Sequence, residues 1–156
     1  MICLNKKPAV FVFVWGGVLV LITYACTFLV AVVESWFDLK IDKNGVSEHT
    51  WLFKLIVFCV IAPLLETYLL QFLPYDYYKR HHKSMAWLIL VAGVLFALFH
   101  MYSIAYAIVA GIKGMMLTYA YASWQGKHVS RFVVTTMAHA FNNIYFLTLE
   151  LIMSLF

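Results

Sequence analysis

Residues 84–126 read SMAWLILVAGVLFALFHMYSIAYAIVAGIKGMMLTYAYASWQG, 43 residues in which only His100 and Lys113 break the apolar character. As a single helix this stretch would be about 64 Å long at 1.5 Å per residue, roughly twice the ~30 Å hydrocarbon core of a bilayer. It therefore predicts two membrane spans folded back on one another, with the turn expected at Met101–Ala105.

The chain on either side reads the same way. Pro8 to Val33 is 26 residues without a charge, more than the ~20 a spanning helix needs. It is also too long for a signal-peptide core of about 7–15 residues, so an uncleaved first span is expected. A second span is predicted from Trp51 to Phe72, ending before Pro74, and a fifth from Phe132 to Leu149. The expectation is an all-α, polytopic integral membrane bundle of about five transmembrane helices in one domain, residues 1–156. The spans fall at 10–33, 51–72, 85–101, 105–124 and 132–149.

Composition agrees. The 156 residues are 65% hydrophobic and 12% charged, whereas soluble domains run to about 45–50% and about 25%. A globule this small has too much surface to hide so much apolar material from water. Lys6, Lys7, Lys79, Arg80, Lys83, Lys127 and Arg131 fall on one side of such a bundle. Lys40 and Lys43, outnumbered by Glu34, Asp38, Asp42 and Glu48, fall on the other. The positive-inside rule then puts the N-terminus in the cytoplasm, in a multi-pass protein of the cell membrane. Topology also accounts for the net charge of +4, so the lipid bilayer is the expected partner and nucleic acid is not. Cys3, Cys26 and Cys59 are odd in number and two lie in apolar runs, which argues against a disulfide framework.

Four ionisable residues stand inside the predicted spans: Glu66, His100, Lys113 and His139. Each costs roughly 2.5–3.5 kcal/mol at mid-membrane on insertion scales, which makes it a functional candidate. Glu66 follows Pro63, whose missing N–H opens the helix locally, and Thr67 and Gln71 share a face four residues apart. A purely structural role, an ion pair with Lys113, is the competing reading for Glu66. Phe96 lies one turn before His100, and His139 one turn before Asn143, with Thr135 a further turn back. Lys113 sits between Gly111 and Gly114, small residues that let a neighbouring helix approach. His49, His81, His82 and His128 fall in loops, and Trp51, Trp87 and Trp124 fall near span ends, where interfacial belts form.

A Glu on one span, Phe-x-x-x-His on the next and His-x-x-x-Asn on the last resemble the CAAX-prenyl protease and bacteriocin-processing (CPBP) family of intramembrane proteases. The resemblance covers about Trp51 to Leu149. It departs at the first motif, where Thr67 stands for a second Glu and Gln71 for an Arg. It implies an intramembrane endopeptidase that hydrolyses peptide bonds with a glutamate-activated water. Glu66 would activate that water, His100 would help hold it, and His139 and Asn143 would stabilise the oxyanion. Thr67, Gln71, Phe96 and Lys113 would support them, and Lys113 would supply the positive charge the altered motif lacks. The substrate would be a peptide or protein, with prenylated substrates a family option. No metal or other cofactor is expected, although two His and one carboxylate are also a zinc set. The helical His-Glu-x-x-His arrangement of common zinc peptidases is absent. The alternatives are a catalytically impaired relative acting as a membrane immunity or scaffold protein, and an ion or proton carrier.

Overall fold

The computed structural model describes residues 6–37, 49–82 and 84–156, and among these every regular element is helical. In chain order they are α1 (Pro8–Phe37), α2 (Trp51–Arg80), α3 (Met85–Phe99), α4 (Ile104–Ser123) and α5 (Arg131–Met153). Thr50, Ser84, Ser103 and Ser130 each accept a hydrogen bond from the backbone N–H three residues on, capping α2 to α5. Such caps mark all four starts in a sequence otherwise poor in punctuation.

Pro8–Val33 within α1, all of α2, and α4 are long and apolar enough to cross a membrane, while α3 is shorter. Large apolar side chains face outward, including Ile104 at 77% exposure and Leu21 at 69%. Such a surface suits lipid and not water. The chain is a helical membrane bundle. Lys40, Lys43, Asp38, Asp42, Glu48, Lys83 and Cys3, which entered the charge and cysteine readings, lie outside the described residues.

Helix α2 departs from expectation because it does not stop at Pro74. It runs on to Arg80, and the means are two π turns, Val57–Ile61 and Thr67–Phe72. Each is followed by an α segment with Pro63 or Pro74 in its first two positions. A proline ring collides with the carbonyl four residues back, and the wider i→i+5 turn moves that carbonyl away. Glu66 lies on the short α segment between the two π turns.

Helices α3 and α4 pack closely through small residues, as Gly111 and Gly114 led us to expect. A Cβ on Gly111 would lie 3.2 Å from the Gly93 carbonyl oxygen and 3.2 Å from Ala97 Cβ. The turn between them falls at His100–Ser103, slightly earlier than the expected Met101–Ala105, because the Ser103 cap fixes the start of α4. Two buried clusters form the core. Leu19, Leu70, Phe96, Ala110 and Leu117 join α1 to α4, and Phe11, Val12, Ala120, Trp124 and Val134 close one end. Trp124 is thus buried and not interfacial as its position suggested. Its ring meets Phe11 edge-on at 4.8 Å, and its N–H donates to the Val129 carbonyl at 2.9 Å.

Lys54, only 4% exposed, pairs with Glu150, tying the start of α2 to the end of α5. Lys54 is buried and Glu150 half exposed, so removing the carboxylate leaves a buried ammonium uncompensated, whereas removing the lysine leaves a carboxylate that water can reach. Glu150→Ala is therefore expected to lower the melting temperature more than Lys54→Met does, as read by thermal unfolding in detergent. The Lys54→Met/Glu150→Ala double variant should recover most of the loss.

Candidate active site

Glu66 is the centre on which three helices converge. Its Oε1 lies 3.7 Å from His100 Nε2 at the end of α3, and its Oε2 lies 3.6 Å from His139 Nε2 in α5. Both separations are too long for direct hydrogen bonds. His139 is buried, and Glu66 Oε2 has no hydrogen-bond partner among the described residues.

Depth along the helices explains how these residues meet. Glu66 lies about 14 residues from the Arg80 end of α2, ~21 Å at 1.5 Å per residue. His100 lies about 15 residues from the same end of the bundle along α3, ~22 Å by the same rise. The extension of α2 past Pro74 is what brings the two level. His139 is only about 8 residues into α5, ~12 Å. Its imidazole still reaches Glu66 Oε2, so the helices do not run strictly in step.

His100 is held in a defined orientation. The helix ends at this residue, and the imidazole stacks on Phe96 with centroids 4.7 Å apart and planes 3° from parallel. Its Nδ1 lies 2.8 Å from the Phe96 carbonyl oxygen. A carbonyl can only accept, so Nδ1 carries the proton and the Nε2 of the neutral ring presents a lone pair to Glu66. A lone pair and a carboxylate oxygen facing each other across 3.7 Å both need a donor between them. A water molecule supplies two. Tyr106 and Tyr102 flank the same ring at 5.9 Å and 6.4 Å between centroids.

Asn143 is placed differently from the simple oxyanion expectation. Its Nδ2 donates to the Phe58 carbonyl at 2.7 Å, within the first π turn of α2. That bond uses one of the two amide hydrogens and leaves the second available. The neighbouring Asn142 is the more deeply buried of the pair. One atom of its amide lies 3.0 Å from Asn143 Oδ1 and 3.1 Å from the Lys113 ammonium; as nitrogen it donates to Asn143, and turned over so that it is the oxygen it accepts from Lys113. Its nitrogen then faces Thr23 Oγ1 at 3.4 Å, whose own hydroxyl donates to the Leu19 carbonyl. Lys113 makes no ion pair with Glu66 within 4.0 Å among the described residues, so the structural ion pair considered from sequence is not formed. The ammonium is shared with a neutral amide instead. Thr67 and Gln71 are fully buried beside this centre.

Glu66, His100 and His139 are therefore assembled, Phe96 orients His100, and Asn143 and Lys113 stand at the margin. Asn142, Thr23 and Tyr106 were not singled out from sequence. The Asn142–Asn143 doublet was the one available signal for the first of them. Among the described residues, neither Glu66, His100 and His139 nor any other His, Cys, Asp and Glu are disposed as a ligand set for one metal ion.

Fold and site together define a helical membrane protein with a carboxylate and two imidazoles enclosed in its bundle. Residues 48–145 match the family model described as type II CAAX prenyl endopeptidase Rce1-like. The chain belongs to this family of CAAX-type membrane proteases. No curated protein and no solved structure matches it.

Proposed function

We propose that the chain is an intramembrane endopeptidase in which Glu66 activates a water held between its carboxylate and the two imidazoles. The flanking of Glu66 by His100 Nε2 at 3.7 Å and His139 Nε2 at 3.6 Å carries this reading. Those gaps fit one bridging water better than direct contacts. In the step, the water oxygen bonds to the peptide carbonyl carbon while its proton passes to Glu66. The C–N bond then breaks, and Glu66 returns the proton to the departing amine. His139, protonated at Nε2, and the free amide hydrogen of Asn143 face the developing oxyanion, where donors gain strength in a low dielectric. No step here requires a metal, so cleavage should persist in a chelator.

The substrate in this reading is a peptide or protein, and a prenylated C-terminal peptide is the first to test. The protein lies in the cell membrane with five spans and its N-terminus in the cytoplasm. The end of the bundle bearing Lys79, Arg80, Lys127 and Arg131 then faces the cytoplasm. The test is cleavage of farnesylated and unmodified C-terminal peptides by the full-length protein in nanodiscs, beside the His139→Ala variant. Loss of a donor to the oxyanion should slow turnover about 10²–10³-fold. Equal cleavage by the variant would sink the proposal. A wild type that cleaves neither peptide would favour the impaired immunity or scaffold role.

Lys113 offers a separate check. It reaches the site through Asn142. If it balances the charge of Glu66, Lys113→Ala should reduce cleavage about as much as His139→Ala does. Lys113→Arg should retain more activity than Lys113→Ala. Wild-type rates in Lys113→Ala would exclude that role.

A further inference from the structure

Thr67, Gln71 and Thr135 show no exposure and His139 shows 1%, yet their side-chain polar atoms lack partners among the described residues. The orphaned atoms are Thr67 Oγ1, both amide atoms of Gln71, Thr135 Oγ1 and His139 Nδ1. Buried polar groups are satisfied almost without exception, by protein or by ordered water. Within apolar helices a threonine has an easy remedy, which is to donate to the carbonyl four residues back. Thr23, Thr27, Thr118 and Thr148 all do so at 2.8 Å. Thr67 and Thr135 do not, so their hydroxyls are aimed elsewhere.

The four residues lie on two helices that pack against each other. Helices α2 and α5 run antiparallel, with Glu66 against His139 at one point and Tyr75 beneath the Arg131 guanidinium, 4.6 Å from its ring centroid, at another. Between these two points Thr67 and Gln71 on α2 and Thr135 on α5 recur at four-residue spacing, with Thr136, also buried and without a partner, beside Thr135. The π turn Thr67–Phe72, with its i→i+5 spacing, sets Gln71 one turn from Glu66. The threonines and Gln71 are neutral, so no ion is demanded. They offer donors and acceptors together, as a water molecule requires.

We infer that Thr67, Gln71, Thr135 and His139 Nδ1 form an internal water site, distinct from the reactive water at Glu66. Its bound water donates to His139 Nδ1 and accepts from Thr135 or the Gln71 amide. That fixes the imidazole with its proton on Nε2, facing the reaction. Thr135 and Gln71 are thus positioning residues, acting through His139. The purpose given to the site rests on the peptidase reading, but its existence does not.

The test uses full-length protein in nanodiscs, with Thr135→Val as the near-isosteric variant and Gln71→Met as the second. Radiolytic footprinting in heavy-oxygen water should oxidise His139 in the wild type, and several-fold less in Thr135→Val. Both variants should melt lower, by roughly 2–4 °C, because water-held polar groups are lost. At a dry helix interface the same changes remove orphaned groups and raise the melting temperature. Nitrogen NMR of histidine-labelled protein should show His139 as the Nε2–H tautomer, and a tautomer mixture in Thr135→Val. Unchanged or higher melting temperatures, with unchanged tautomer and footprint, would overturn the water site. A wild type that passes these tests while cleaving no peptide supports the site and counts against the peptidase reading alone.

Discussion

Glu66→Gln is expected to slow peptide cleavage by about 10²–10⁴-fold while the bundle stays folded. Glutamine keeps the volume of the side chain and can hydrogen-bond, but it cannot take a proton from water. A positioned general base contributes about 10²–10⁴ in rate, so the variant should fall by that factor. The melting temperature should not fall, because Glu66 makes no hydrogen bond or ion pair shorter than 3.6 Å to protein. Removing a structural carboxylate would show the opposite pattern, lower stability with residual turnover. Cleavage within tenfold of wild type, measured on the same farnesylated peptide, would refute the role given to Glu66.

Gly114→Val should disable the site without touching it. A Cβ at Gly114 would lie 2.4 Å from Phe96 Cβ and 2.7 Å from its ring carbon Cγ. Those atoms belong to the root of a buried side chain, so they cannot swing aside, and α3 must move. Overpacking of this kind costs about 1–3 kcal/mol. The larger effect is on chemistry, since the Phe96 ring stacks on His100 and its backbone carbonyl accepts the hydrogen bond from His100 Nδ1. Displacing a catalytic group by about 1 Å can cost on the order of 10²-fold in turnover. Gly17→Ala is the control, because nothing lies within 4 Å of a Cβ there. An active Gly114→Val enzyme would show that the Phe96–His100 stack has no part in turnover.

Much of this was legible in the sequence because apolar length and polar exceptions are strong signals in a membrane protein. The 43-residue run between Ser84 and Gly126 forced a helical hairpin, and the isolation of Glu66, His100 and His139 marked the residues that meet. The extent of α2 was not legible, since a proline normally stops or kinks a helix and nothing in the sequence announces a π turn. The partner of Lys113 was hidden for another reason. Charge alone suggested Glu66, whereas the contact is set by which turn of α5 faces α4, and that turn offers Asn142. Trp124 near a helix end looked interfacial until the packing of α1 covered it.

Helix α3 has 15 residues, about 22 Å at 1.5 Å per residue, against a hydrocarbon thickness of ~30 Å. By itself it falls about 8 Å short of that thickness, so it crosses only where the bilayer thins or the flanking turn completes the passage. The turn that follows leaves Met101 and Tyr102 exposed. Thinning of the lipid around α3 carries a modest cost per ångström of mismatch. A host bilayer of different thickness would therefore meet the His100 end of the bundle differently.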